Sequence, residues 1–219
     1  MNTLKITSYT NIIEQVCSLN LNGCLFRGVT DVKAYKLVPS VGRPTKFQGA
    51  TLAKRTAEEK LALKRFRLEG AQFVSGNPSA WDWMTIARHH GLPVRLLDRS
   101  RNPLVALFFA VWDNKKTEAA VYAEYFRTPI VIEKEIDPFA VKKVGKFQPS
   151  ASVARIPSQS SMLTIHPDPS KAYCSTTLKC FTISAKLVPD MKACLRRCGI
   201  NPASVFPGLE GIAKSLRFD

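Results

Sequence analysis

Val94-Arg95-Leu96-Leu97-Asp98-Arg99-Ser100-Arg101-Asn102-Pro103-Leu104-Val105-Ala106-Leu107-Phe108-Phe109-Ala110 reads as strand, turn and helix in one run. Val94–Leu97 is short, apolar and β-compatible. Asn102 before Pro103 is an N-cap followed by proline at the first helical position, where its missing N–H costs nothing. Leu104–Trp112 is apolar almost all round, so this helix belongs inside the body of a domain. With a regular strand, Arg95 and Leu97 face one side and Leu96 and Asp98 the other.

Outward from this run, Cys24-Leu25-Phe26 after Asn22-Gly23 reads as a strand that ends at Arg27-Gly28. Thr10 is the expected cap of a helix carrying Ile12, Ile13, Val16 and Cys17. Tyr35–Leu52 is basic and broken by turn signals, which suggests a surface loop with Lys33, Lys36, Arg43, Lys46, Lys54 and Arg55 around Tyr35 and Phe47. Such a cluster fits either a phosphate backbone or plain solvation. Thr56 with Glu59 three residues on predicts a capping box, and Ser79 a cap for a helix through Trp81, Met84 and Ile86 stopped by Gly91. Further strands are expected over Ala119–Phe126, Ile130–Ile136 and Leu178–Ala185. A helix after Pro189 and a last helical segment from Asn201-Pro202 complete the pattern.

These elements predict an α+β fold, read as a single domain over residues 1–219. The chain is 45% hydrophobic, enough apolar material to offset the entropy of ordering a core, so wholesale disorder is excluded. The longest apolar run, Pro103–Trp112, is about half the length a bilayer span needs, and no membrane association is expected. The first residues lack the pattern of a secretory signal, which points to the cytoplasm and to reduced thiols for the six cysteines. Cys194 and Cys198 share a helical phase with Met191 and Leu195 and read as core. With no C-x-x-C pair and three histidines, no metal site is expected. The net charge of +15 gives a field that attracts polyanions, so an RNA or DNA partner gains weight without any sequence-specific motif.

Leu25-Phe26-Arg27-Gly28, followed by Arg88-His89-His90-Gly91-Leu92-Pro93 and the run quoted above, resembles the FRG domain family. Its hallmarks are an aromatic-Arg-Gly tripeptide and a long Gly-Leu-Pro to Asn-Pro-Leu motif. Arg155-Ile156 with Gln159, and Phe206-Pro207-Gly208-Leu209-Glu210-Gly211, resemble weaker downstream motifs, so the resemblance covers Leu25 to about Leu216. The chain departs from the pattern at Arg88, Val94, Arg99, Ser100 and Gly208, where the family usually has Gln, Thr, Trp, Thr and Asp.

A more distant resemblance is to ADP-ribosyltransferases, which hold NAD in a split β-core with flanking helices. It implies that Arg27, Gly28, Arg95, Asp98, Ser100 and Gln159 bind the cofactor, with the Arg27 guanidinium on the pyrophosphate and Ser100 on the nicotinamide ribose. Ribosyl transfer also needs a carboxylate. Arg155–Thr164 contains no Glu, so Glu210 is the first candidate and Glu133 and Glu135 come next. His90 is a candidate base and Arg27 a candidate catalytic residue. The implied activity is transfer of ADP-ribose from NAD to an acceptor such as RNA or DNA. The implied setting is a toxin or phage-defence system with an antitoxin or regulatory protein partner. Without a carboxylate in the cleft, the alternative is a noncatalytic nucleotide- or nucleic-acid-binding module. Each residue also has a plainer reading: Arg27 as a fold-holding pin, His90 as a helix cap and Asp98 as a turn carboxylate.

Overall fold

The computed structural model describes residues 1–19, 22–43, 50–114, 116–126, 137–149 and 155–216. Among the described residues, seven strands form one mixed sheet: β1 (Asn2–Ile6), β2 (Cys24–Val29), β3 (Leu96–Ser100), β4 (Ala119–Tyr125), β5 (Gly145–Phe147), β6 (Ser161–Ile165) and β7 (Lys179–Ile183). Their order is β1-β7-β4-β2-β3-β6-β5. Only β1 and β7 run parallel; the other neighbours are antiparallel. The α+β expectation holds.

The pairing is uneven. β2 joins β4 at six positions and β3 joins β6 at five, yet β2 and β3 meet only at Phe26↔Ser100. The sheet is therefore two well-paired halves splayed apart at its middle.

Around it lie α1 (Tyr9–Cys17), α2 (Leu52–Gly70), α3 (Ala80–His89), α4 (Pro103–Val111), α5 (Arg155–Ser158), α6 (Val188–Arg197), α7 (Pro202–Val205) and α8 (Leu209–Ser215). Under the β1-β7-β4-β2 half, α4 supplies Ala106, Leu107, Phe108, Ala110 and Val111 to a core shared with Phe26, Val121, Phe181, Met191 and Leu195. Under the other half, Trp81, Met84 and Ala87 of α3 pack on Leu96, Phe147, Leu163 and Ile165. Gly28 makes the first packing possible. A Cβ there would sit 1.8 Å from the Ala106 carbonyl oxygen and 2.6 Å from the Ala110 nitrogen.

Several boundaries move from the sequence expectation. Ser8, not Thr10, caps α1 through the Asn11 N–H. The strand after Asn22-Gly23 continues to Val29, and the strand placed at Val94–Leu97 is Leu96–Ser100. Thr56 and Glu59 form no capping box: α2 starts earlier, with Thr51 as its cap. The pair serves instead as a clamp on Arg95. The Asn102 cap, the Ser79 cap and the buried α4 are as the sequence predicts. Met191 and Leu195 are buried as predicted, but Cys194 is half-buried and Cys198 is exposed, its Sγ 3.4 Å from the Tyr9 hydroxyl. The strand expected over Ile130–Ile136, with Glu133 and Glu135, lies outside the described residues, as do Lys46 and Phe47. No described helix is long and apolar enough to cross a membrane.

Candidate functional site

Where β2 and β3 diverge, a cleft of about 530 Å³ opens between the two halves. Gly28, Ala106 and Phe109 line it from β2 and α4, Thr85, Arg88 and His89 from α3, and Asp98, Arg99 and Ser100 from β3. The loop after β2 adds Tyr35, Lys36 and Arg43, while Gln159 and Phe206 arrive from the C-terminal third. Phe206 is held there by edge-on packing against Phe108 and Phe109, with ring centroids 6.0 and 5.9 Å away.

Among the described residues, five cationic side chains, Arg27, Lys36, Arg43, Arg88 and Arg99, line this space against one carboxylate, Asp98. The Arg27 guanidinium spans the split, donating from Nη1 to the Asp98 carbonyl oxygen at 2.7 Å and lying 3.7 Å from its Oδ2. Arg88 Nη2 donates to the same Oδ2 at 2.5 Å. Asp98 is thus held between two guanidinium groups while nearly half of its side chain stays exposed. Burial pushes Arg27 down to about 10; Asp98 opposes that fall, and Arg88 and Arg43 add to it. Burial likewise pushes Arg99 down to about 10, with the Arg27 charge as the next cause. Both remain cationic at neutral pH.

Arg99 is 3% exposed, and none of its three guanidinium nitrogens has a hydrogen-bond partner among the described residues. Its ring neighbour is Tyr173, with the ring centroid 5.8 Å from Cζ. Beyond it lies His166, buried and held below its usual range, at about 3, by burial and then by the charges of Arg99 and Arg27. Its Nε2 shares a 3.1 Å hydrogen bond with the Thr164 hydroxyl.

Of the residues the sequence nominated, Arg27, Gly28, Asp98, Ser100 and Gln159 meet in the cleft. Ser100 Oγ donates to the Gln159 carbonyl oxygen at 2.7 Å and accepts from the Asn102 N–H, so it ties the β3–α4 turn to the C-terminal segment. Gln159 Nε2 donates to the Val205 carbonyl oxygen. Three nominees lie elsewhere. Arg95 does not line the cleft. Its Nε donates to Glu59 Oε2, Nη2 to Thr56 Oγ1 and Nη1 to the Pro167 carbonyl oxygen, and its backbone N–H to Glu59 Oε1, so every face of the fork is used inside the fold. His90 caps the end of α3 on the exposed surface, and its neighbour His89 faces the cleft instead. Glu210 sits on α8, outside the cleft lining, 2.8 Å from Lys214 Nζ.

Tyr35, Lys36 and Arg43, which the sequence offers only as part of a loop cluster fitting a phosphate backbone or plain solvation, line the cleft, as do Arg88 and Arg99, which the sequence shows only as departures from the family pattern. Arg99 carries a further signal: two residues after buried Leu97, it shares that strand face.

The cleft is built mainly from one continuous stretch of chain running from β2 to α4. Residues 22–119 match the family model of the FRG domain. The FRG match begins just before β2 and ends at the first residue of β4, so it contributes Arg27, Gly28, Asp98 and Ser100 together with Lys36, Arg43, Arg88 and Arg99. Gln159 and Phe206 are added to the FRG segment from outside it. No curated protein and no solved structure matches the chain.

Proposed function

We propose that this chain is an ADP-ribosyltransferase-like enzyme that binds NAD in the β2/β3 cleft and transfers ADP-ribose to an acceptor. One observation carries the reading: an open cleft at the split of the sheet, lined among the described residues by five cations and one carboxylate. Its volume falls within the roughly 300–1,000 Å³ typical of small-molecule sites. A pyrophosphate is a ligand that such a wall of guanidinium groups recognises well, through charge-assisted and bidentate hydrogen bonds.

In the reaction the bond between the ribose C1′ and the nicotinamide nitrogen breaks. Nicotinamide leaves with the bonding electrons, and the acceptor's nucleophile attacks C1′ while losing a proton. Asp98 takes the place expected for Glu210, as the cleft carboxylate able to face the cationic sugar and accept that proton. The net charge of +15 suits a nucleic-acid acceptor. The toxin or defence setting and the antitoxin partner follow from the resemblance alone.

A second reading, binding without turnover, is favoured by the two ion pairs on Asp98, which commit that carboxylate to Arg27 and Arg88 rather than to an acceptor. Nicotinamide release from NAD, with and without bulk RNA or DNA, separates the two. The enzyme reading expects release that Asp98→Asn and Arg27→Ala abolish in folded protein. Calorimetric binding of NAD with no release under either condition would establish the binding module, and neither binding nor release would sink both.

A further inference from the structure

The geometry points to Arg99 as the residue that selects an anionic ligand for this cleft: a phosphate or pyrophosphate group seated on its unpartnered guanidinium, beside Arg27. The inference rests on the nucleotide reading above for the ligand class, and on its own observation for the residue. A planar fork of five N–H donors, 3% exposed, lines the cleft without donating to anything among the described residues. Buried donors left unmade are costly, and a buried charge left uncompensated costs more. Evolution tolerates such an arrangement where a ligand completes it.

The groups facing Arg99 do not complete it. Arg27 is a like charge. Tyr173 offers a ring face at 5.8 Å, not an acceptor. Glu124, the acid whose charge it feels, is fixed elsewhere. Its Oε1 accepts from the Ser175 and Thr177 hydroxyls, and its Oε2 is buried without a partner. His166 is neutral. Two arginines on one side of the cleft, one with a nitrogen on the Asp98 carbonyl and one wholly uncommitted, match a dianionic group that needs several donors at once.

The test is thermal melting and calorimetric binding on the full chain, using inorganic pyrophosphate, inorganic phosphate, NAD and, as a neutral control, nicotinamide. Wild type is expected to be stabilised by pyrophosphate and NAD and not by nicotinamide. Arg99→Met removes the charge while keeping the apolar stem. It is expected to melt about 3 °C or more higher than wild type without ligand, because an uncompensated buried charge is gone. It is also expected to lose the pyrophosphate shift and bind NAD roughly 10–100-fold more weakly. A structural pin predicts the opposite sign in the absence of ligand. Arg99→Lys, which keeps the charge but not the fork, is expected to recover part of the affinity and serves as the decisive variant if Arg99→Met does not fold. Pyrophosphate binding without NAD binding would uphold the anion site and remove the NAD reading. NAD binding of equal strength in wild type and both variants would overturn the role of Arg99 and leave the NAD reading standing. No pyrophosphate shift in wild type would overturn the anion site itself.

Discussion

Arg95 and Arg99 are four residues apart and equally buried, at 2% and 3% exposure, yet their surroundings are opposite. Around Arg95, α2 supplies Glu59 and Thr56 and the chain after β6 supplies the Pro167 carbonyl, so the guanidinium is paired on all sides. Its guanidinium also lies over the Phe139 ring, with the ring centroid 4.3 Å from Cζ. Around Arg99 there is a cleft and, among the described residues, no acceptor for its guanidinium. The first arrangement is closed and holds the β3–β6 half against α2. The second is open, and a fold seldom keeps an open buried cation without a use. Burial alone therefore does not separate structural from functional arginines in this chain; the state of their donors does.

Opening the closed site puts the difference between the two arginines most directly at risk. Glu59→Ala leaves Arg95 as an unpaired buried charge and is expected to cost about 3–5 kcal/mol, read as a fall in the urea midpoint. The same loss of an acidic partner has no counterpart at the open site, because Arg99 has no partner to lose among the described residues. If Glu59→Ala costs less than about 1 kcal/mol, an unpaired buried arginine is well tolerated here and the contrast between the two sites loses its meaning. Next in size is Gly28→Ala. Its Cβ would fall 1.8 Å from the Ala106 carbonyl oxygen, a backbone atom that cannot swing away, so α4 has to separate from β2. A loss of about 3 kcal/mol is expected, at the upper end of ordinary overpacking. It tests whether Gly28 serves strand-to-helix contact more than close approach of a ligand: NAD affinity measured on the folded fraction is expected to fall much less than it does in Arg99→Met.

The α4 side of the fold is legible in the sequence because its signals are local. Asn102-Pro103 and the all-apolar stretch behind it specify a buried helix start without reference to anything distant. The site is only half legible. Arg27, Asp98 and Ser100 come from motifs, and the split that brings them to one cleft depends on how few positions β2 and β3 share. Thr56 and Glu59 show why the rest was hidden. Their spacing fits a capping box, but the same spacing places both on one helical face, and Arg95, 36 residues beyond Glu59, claims that face. β1 was missed because it is a short edge strand whose only apolar residues are Leu4 and Ile6, with Ile6 alone buried. The same non-locality misplaced Glu210, since nothing in its neighbourhood tells whether α8 turns toward the cleft.

The open site also leaves a signature in the pH dependence of stability, because His166 lies behind it. Its folded pKa, depressed to about 3 chiefly by burial and then by Arg99 and Arg27, lies below the unfolded value near 6.5. The unfolded chain therefore binds the extra proton first. The contribution of the neutral imidazole is present above about pH 6.5 and is lost as pH falls toward about 3. Denaturation midpoints measured between pH 7 and 4 are expected to drop more steeply in wild type than in His166→Gln. Pyrophosphate bound at Arg99 is expected to flatten the wild-type curve, because an anion beside that guanidinium offsets one of the charges that hold His166 neutral. An unchanged slope in the variant would remove His166 as the source of the dependence.

The smallest effect is expected at Glu210. It sits on exposed α8, its carboxylate pairs with Lys214 four residues on, and Lys214 in turn lies 4.3 Å from the centroid of the Phe206 ring. Exposed i,i+4 pairs contribute about 0.3–0.5 kcal/mol, so Glu210→Gln is expected to leave the melting temperature within about 1–2 °C of wild type. Its route to the cleft is indirect, through Lys214 and Phe206, and Phe206 is fixed mainly by Phe108 and Phe109. NAD affinity and nicotinamide release are therefore expected to change less than about twofold, which is less than 0.5 kcal/mol. A large loss of release with unchanged affinity would mean that α8 swings toward the cleft when ligand binds, and would return Glu210 to the position of the transferring carboxylate in place of Asp98.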